Sequence, residues 1–319
     1  MINIMPNKIL VIGACGMVGV ALTLELRQKF GGANVWASDV REENESLKNT
    51  GPYVNLDVLN IDSIKILVKK EKINTIYLLA GLMSAGGEKN PKLCWDLNIG
   101  GLRQILDLCV DEKIKIFWPS SIAVFGPTTP KKNTPQNTII EPTTMYGITK
   151  YTGELLCHYY HNRYGLDVRS LRYPGLISWQ SEPGPGTTEY AVDIFYGAIK
   201  EGKYTAPLEA GTYLPMMYMS DAIRATIEIM AASSEKIKNR MSYNLSAISF
   251  SPQDIADEIK KHLPTFEITY QPDYRQAIAD SWPQSIDDSS AREDWGWQHQ
   301  YGLAEMTTDM LKNLKDKLK

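Results

Sequence analysis

The sequence predicts an α/β chain: a doubly wound parallel sheet with helices on both faces, followed by a smaller C-terminal lobe. Three observations carry that expectation. Short apolar runs alternate with helix-spaced segments from Lys8 to Tyr173. The first of these runs ends in a glycine cluster that opens a helical segment. After Tyr173 the texture changes, with Pro174-Gly175 and then Pro183-Gly184-Pro185-Gly186 punctuating the chain.

Taken in order, Lys8–Ile12 reads as a strand, Gly16–Phe30 as a helix, and Asn34–Asp39 as a second strand ending in an acid. Val54–Leu56 reads as a short third strand, Ile61–Lys72 as a helix, Thr75–Leu79 as a fourth strand and Cys94–Asp111 as one long helix. Lys115–Pro119, Met145–Tyr164 and Asp167–Arg172 continue the alternation as strand, helix and strand. Strands joined through helices pair in parallel, and right-handed crossovers then cover both faces of the sheet. Beyond Tyr173, Leu214–Met219 reads as a strand and Asp221–Ala232 as a helix. Ser251-Pro-Gln-Asp254 is a helix start leading to Lys261, Phe266–Tyr270 a strand, and Leu303–Leu318 an amphipathic helix. Residues 1–174 are therefore expected to form the parallel-sheet domain, to which 214–235 returns, with 175–213 and 236–319 as the smaller lobe.

Composition narrows the function. The chain has 319 residues, 34 Lys plus Arg and 37 Asp plus Glu, a net charge of −3 that argues against a nucleic-acid partner. No apolar run reaches the roughly 18 residues of a membrane span, and the opening Met1 to Lys8 lacks secretory signal architecture. Cys15, Cys94, Cys109 and Cys157 are scattered, as in a reducing compartment, and a cytoplasmic location is expected. His158 and His161 share a helix face, but no Cys or acidic cluster completes a ligand set, so no metal is expected.

Gly13-Ala-Cys15-Gly16-Met17-Val18-Gly19 lies between the first strand and the first helix. Gly13 permits the tight turn, Gly16 lets backbone approach a pyrophosphate, and Gly19 lets the helix pack close to the sheet. The helix N-terminus adds free N–H groups and partial positive charge for the anion. The alternative is a glycine-rich connection without a ligand; the strand before and the helix after favour the dinucleotide. Asp39, 20 residues beyond Gly19, stands where an acid accepts the adenosine ribose hydroxyls and repels a 2′-phosphate, which favours NAD, with Arg41 weakening that preference. Val40 and Arg41 beside it, Asp57 and Val58 after the third strand, and Leu79-Ala80-Gly81 after the fourth complete the expected cofactor contacts.

Pro119-Ser120-Ser121 ends the fifth strand at the carboxyl edge, where doubly wound sheets bind ligands. Tyr146 and Lys150, four apart, share one helix face. A nearby ammonium favours the phenolate, so Tyr146 is a candidate general base, with Ser121 hydrogen-bonding the same substrate oxygen and Lys150 also holding the nicotinamide ribose.

These residues, with Asn98 and the Tyr173-Pro174-Gly175 turn, resemble the extended short-chain dehydrogenase/reductases over essentially the whole chain. Gln104 departs from an Asn common in that family, at a position that looks structural. The resemblance implies a Rossmann fold and NAD, and adds Asn98, Ser120, Tyr173, Pro174, Gly175 and Leu176 to the cofactor contacts. Leu171–Ser178 with Gly184–Ala191, Leu214–Met219, and Arg275–Ser289 with Trp295-Gly-Trp297 more specifically resemble the short-chain type of L-threonine 3-dehydrogenase. Pro185 and Glu189 stand where that group often has Gly and Asp.

Read alone, Thr187 and Thr188 are loop caps and Trp282 is core; the resemblance implies a substrate site of Ser84, Ser121, Ile122, Tyr146, Gly186, Thr187, Thr188, Glu189 and Trp282. The implied reaction oxidises L-threonine to 2-amino-3-oxobutanoate, which decarboxylates or passes to a ligase. A nucleotide-sugar epimerase or dehydratase using Arg169, Arg172 and Arg275, and a dinucleotide sensor without turnover, are the competing readings. The family also implies a homodimer through the helices bearing Leu102, Ile105, Leu106, Leu155, Tyr159 and Tyr160, whose alternative role is burial against the sheet.

Overall fold

The computed structural model of the protein describes residues 7–184 and 186–319. Met1–Pro6 and Pro185 lie outside them, and with them the readings of the chain's opening and of the Pro185 substitution. The chain divides into two compact units: residues up to Ser120 with Thr144–Leu171 and Ala225–Ser242, and Ser121–Thr143 with Arg172–Arg224 and Tyr243–Lys319.

The first unit alternates β1 (Ile9–Ile12), α1 (Met17–Phe30), β2 (Val35–Asp39), β3 (Tyr53–Asn55), α2 (Ile61–Glu71) and β4 (Thr75–Leu78). It continues through α3 (Ser84–Lys89), α4 (Pro91–Trp95), α5 (Leu102–Asp111), β5 (Lys115–Ser121), α6 (Met145–Tyr164) and β6 (Val168–Tyr173). Every residue of β1 is buried, as a strand covered on both faces requires. The parallel sheet has seven strands when β10 (Tyr243–Asn244) is included, in the order β10-β6-β5-β4-β1-β2-β3. The order reverses between β1 and β4, which opens a crevice at their carboxyl ends.

The long helix expected over Cys94–Asp111 is interrupted. Asp96–Gly101 forms a π-helical turn between α4 and α5. The extra residue turns Asn98 inward, where it is 4% exposed. The helix stripe expected to face a second subunit also splits: Leu102, Ile105, Leu106 and Tyr160 belong to the core of this unit, whereas Leu155 and Tyr159 are 46% and 53% exposed. Burial of Leu102, Ile105 and Leu106 together follows from their helical spacing along one face of α5. His158 pairs with Asn162 and His161 with the Leu166 carbonyl, so each imidazole has its own neighbour.

A partly buried charge cluster closes this unit. Asp167 accepts from Arg169 Nε at 2.9 Å and Arg240 Nη1 at 2.7 Å, and Arg169 also donates to the carbonyls of Ile229 and Ala232. Burial alone raises the Asp167 carboxyl, but its arginine hydrogen bonds and charges outweigh that and hold it at about 2. A carboxyl lowered by folding stabilises the native state above its ordinary pKa of 3.8, and that contribution is lost as pH falls from there toward 2. Asp167→Asn should therefore be less stable than wild type at pH 7 by about 1–2 kcal/mol after allowing for solvent screening. The gap in urea unfolding free energy should narrow steadily below pH 4.

The second unit carries β7 (Gly175–Ile177), α7 (Tyr190–Lys200), β8 (Lys203–Ala206), β9 (Leu214–Tyr218), the start of α8 (Met219–Ala231), β10 and β11 (Ile248–Phe250). There follow α9 (Pro252–His262), β12 (Glu267–Tyr270), α10 (Tyr274–Ser281), α11 (Ser289–Trp295) and α12 (Leu303–Lys317). β9 lies between β11 and β7 in a three-stranded sheet, and β8 pairs with β12 in parallel. The division therefore departs from the expected one. Strand β9 stays in the second unit and the return begins only at Ala225, because Leu214, Met216 and Tyr218 fill the second core. Ser121–Thr143 joins it too, since Thr134 bridges Ile286 and its N–H donates to the Ser285 carbonyl at 3.0 Å. Helix α7 escaped sequence analysis because Tyr190, Ala191, Val192, Ile194, Phe195, Tyr196 and Ala198 are all buried, which leaves only a narrow polar stripe through Asp193 and Lys200.

Candidate active site

The glycine loop has the shape its sequence demands. Gly13 takes φ +92°, and a Cβ there would sit 2.5 Å from the Ala80 nitrogen. Strand β1 and the turn after β4 thus meet backbone to backbone: the N–H groups of Leu79 and Ala80 both donate to the Ile12 carbonyl, at 2.8 and 2.9 Å. A Cβ on Gly19 would fall 2.2 Å from the Gly13 oxygen. Helix α1 begins after Gly16, whose position brings no side-chain cap, so the first-turn N–H groups stand ready for an anion. Met17 and Val18 are half-buried in that turn.

Asp39 ends β2 and is 5% exposed. Its Oδ2 accepts the Cys15 N–H at 3.0 Å and Arg41 Nη2 at 3.2 Å; Oδ1 accepts the Arg41 N–H and Nε, both at 3.1 Å. Burial pushes this carboxyl up, but the Arg41 and Cys15 bonds prevail and hold it below the usual carboxylate range. The acid is thus ionised and already paired. Accepting a ribose hydroxyl requires the Arg41 fork, 60% exposed, to give way. The Cys15 thiol reaches the Glu42 carbonyl and the Tyr53 hydroxyl, and Val40 is exposed beside them. Asp57 closes a turn onto the Leu59 N–H at 2.9 Å, while the Val58 side chain enters the core under Gly101.

Helix α6 starts at Thr144, whose hydroxyl caps the Gly147 N–H at 3.0 Å, so Tyr146 falls in the first turn. Lys150, one turn on, is buried; its ammonium donates to the Pro119 carbonyl at 2.7 Å and lies 4.6 Å from the Trp118 ring and 5.5 Å from the Tyr146 ring. Burial brings this lysine down to about 8, partly opposed by Cys94, Cys157 and Glu154. Gly153 leaves room for Trp118, whose ring would lie 2.3 Å from a Cβ there.

Asn98 holds this helix in place. Its Oδ1 accepts the Leu82 N–H at 2.7 Å, and its Nδ2 donates to the Leu82 carbonyl and to Thr149 Oγ1, each at 3.0 Å. Gly81 and Leu82 are thereby tied to the residue before Lys150. Asn98 thus ties the turn after β4 to α6, beside the position where the family resemblance implies a cofactor contact. Ser120 likewise turns its hydroxyl to Glu154 at 2.5 Å. Ser84 opens α3, whose Glu88 accepts the Met145 N–H at 2.7 Å. Sequence analysis missed Trp118, Thr149 and Glu154; only Glu154 left a signal, an acid four residues past Lys150.

Ser121 ends β5, and its Oγ accepts the Ala123 N–H at 3.2 Å to start a turn that buries Ile122. In the second unit Tyr173 and Pro174 are buried, Leu176 lies in β7, and a Cβ on Gly175 would meet Thr188 at 2.9 Å. Thr187 is buried in the turn before α7, and Glu189, raised by burial, accepts the Gly184 N–H at 3.2 Å while packing near Gly186. Trp282 is partly buried and packs against the core of this unit on one side.

The residues fit a dinucleotide: a positive-φ glycine turn, an uncapped helix start and an ionised acid at the neighbouring strand end. Together with a tyrosine and a buried lysine one helical turn apart, they define the class, an NAD-dependent oxidoreductase on a Rossmann-like fold. The chain belongs to the NAD dependent epimerase/dehydratase family, whose model matches residues 9–246. It is 50% identical over 313 residues to an uncharacterized epimerase/dehydratase of Staphylococcus haemolyticus, covering 98% of each chain. Among solved structures it is similar to the L-threonine dehydrogenase of Clostridium difficile, at 46% identity, 98% coverage of each chain and a TM-score of 0.95. The holo form of a GalE-like L-threonine dehydrogenase from Cupriavidus necator matches at 50% identity and a TM-score of 0.94, over 96% of this chain and 99% of that one. Among the described residues no helix is long and apolar enough to cross a membrane, and no three His, Cys, Asp or Glu side chains gather as a metal group.

Proposed function

We propose that the protein oxidises the side-chain hydroxyl of L-threonine, giving 2-amino-3-oxobutanoate, NADH and a proton. What carries this reading is the Tyr146–Lys150 pair in a chain that matches L-threonine dehydrogenases along nearly its whole length. Tyr146, as phenolate, removes the hydroxyl proton, and Ser121 hydrogen-bonds the same oxygen. Lys150 lowers the cost of the phenolate by its charge and holds the nicotinamide ribose. Gly13, Gly16 and Gly19 cradle the pyrophosphate, and Asp39 with Arg41 frames the adenosine ribose. NAD, when bound, supplies the hydride acceptor for the carbon that bears the hydroxyl. Ser84, Thr187, Thr188 and Glu189 bind the amino acid's carboxylate and ammonium, and Trp282 shields them from water. The β-keto acid product then loses carbon dioxide or passes to a ligase.

The nucleotide-sugar reading needs free cations for a diphosphate. Arg169 is spent on Asp167 and carbonyl groups, Arg172 on Asn244 and Gln136 across the Phe125 ring, and Arg275 on Asp273. A sensor without turnover has no use for a lysine buried against a tyrosine. The test is NADH absorbance with L-threonine, L-serine, 3-hydroxybutyrate and a nucleotide sugar. Threonine should be strongly preferred; conversion of the sugar without net NADH would overturn the assignment.

The protein works in the cytoplasm, as a homodimer whose contact includes the exposed Leu155 and Tyr159 on α6. Sedimentation at micromolar concentration should return twice the chain mass, and Leu155→Glu should shift it toward the monomer. A monomeric wild type would refute the pairing.

A further inference from the structure

We propose that Glu154 is a positioning residue for the reaction, holding Lys150 in its charged form so that Lys150 in turn holds Tyr146 ready to lose its proton. This rests on the Tyr146–Lys150 reading above. The three residues follow at intervals of four along α6 and so form one column. Their partners follow one another along β5: the Pro119 carbonyl accepts from the Lys150 ammonium, and the Ser120 hydroxyl donates to the Glu154 carboxylate. Two turns of the helix are thus clamped to two consecutive strand residues, and Glu154 is fully buried at 0% exposure.

A neutral amide would satisfy the Ser120 hydroxyl as well as a carboxylate does, without the cost of burying a charge. A carboxylate at this position has a counterpart in Lys150, one turn away on the same helix face. The ammonium in turn needs a counterpart. Its near surroundings are a carbonyl and two aromatic faces, and burial works to strip its proton. Among the described residues, the groups that oppose this are Cys94 from α4 and Cys157 and Glu154 from α6 itself. Burial pushes both thiols upward, which leaves Glu154 as the carboxyl group among the three. Other carboxylates packed on α6 are engaged elsewhere: Glu88 of α3 on the Met145 N–H, and Asp107 of α5 on the Tyr160 hydroxyl. From the π-helical turn, neutral Asn98 faces Thr149.

The experiment is the pH dependence of kcat/KM for threonine oxidation in wild type and in Glu154→Gln. The tyrosine and lysine titrate as a coupled pair. Without Glu154, Lys150 sheds its proton earlier and Tyr146 keeps its own longer, so the rising limb should move up by about one pH unit. The direct field of Glu154 on Tyr146, about 12 Å along the helix, has the opposite sign: its removal alone would move the limb down. An unmoved or lowered limb in folded Glu154→Gln overturns the proposal. Glu154→Asp, which keeps the charge, should return the limb toward wild type; a limb left as high as in the Gln variant would count against it. Should Glu154→Gln not fold, Ser120→Ala/Glu154→Met removes both polar partners together and leaves no buried hydroxyl unmet; the same upward shift is expected, and no shift is fatal. If Tyr146→Phe keeps its turnover, the underlying reaction scheme fails instead, and the two failures are told apart by that variant.

Discussion

Tyr146→Phe is expected to bind NAD as tightly as wild type and to lose turnover by a factor of about 10²–10⁴, the usual worth of a positioned general base. The variant removes one oxygen. The ring stays, and with it the face that Lys150 approaches at 5.5 Å and the first-turn position set by the Thr144 cap. The cofactor contacts at the carboxyl ends of β1 and β2 involve other residues altogether, so NAD affinity by calorimetry should not change. The rate should fall in kcat as well as in kcat/KM, because the phenolate acts on the proton that leaves in the transition state. Turnover preserved in this variant would remove the tyrosine base from the mechanism.

Gly19→Ala is the second large effect. The new Cβ would sit 2.2 Å from the Gly13 carbonyl oxygen and 2.8 Å from the Ala14 carbonyl carbon. Both obstacles are backbone, so no side chain can step aside. Relief requires α1 to move off β1, and with it the first-turn N–H groups that face the pyrophosphate. A loss of NAD affinity of more than tenfold is expected, together with a lower Tm from overpacking that costs about 1–3 kcal/mol. Gly16→Ala provides the contrast: its Cβ would lie 3.4 Å from the same oxygen, an ordinary contact, so folding should be little changed. Equal stability of the two variants would contradict the packing role of Gly19.

The two variants also divide the site by how far it could be read in advance. The glycine turn and the Tyr146–Lys150 spacing were legible because each is a local device: a missing Cβ acts on the adjacent turn, and residues four apart on a helix share a face. Asp39 was legible in position and not in state. Nothing in its spacing says that Arg41 would close a fork on it, since the same guanidinium reaches solvent equally well. For Asn98 the spacing did not reveal its protein partners, Leu82 and Thr149, to which a π-helical turn directs it. A π-helical turn leaves no mark in hydrophobic periodicity, because one inserted residue is within the scatter of any helical pattern. The apolar helix stripe was ambiguous for a related reason: spacing shows that Leu102, Leu155 and Tyr160 lie on faces, and only packing shows which face is covered.

By itself, then, the order of residues determined the alternation of strands and helices, the parallel pairing, the dinucleotide turn and the chemical pair on α6. Each depends on side chains within a few residues of one another. The fold alone decided that Ser120 meets Glu154 across 34 residues, that Asn98 meets Thr149 across 51, and that Ser121–Thr143 joins the second unit. The reason is physical: a buried polar group must find a partner, and which one it finds depends on where the whole sheet and its crossovers have carried the chain.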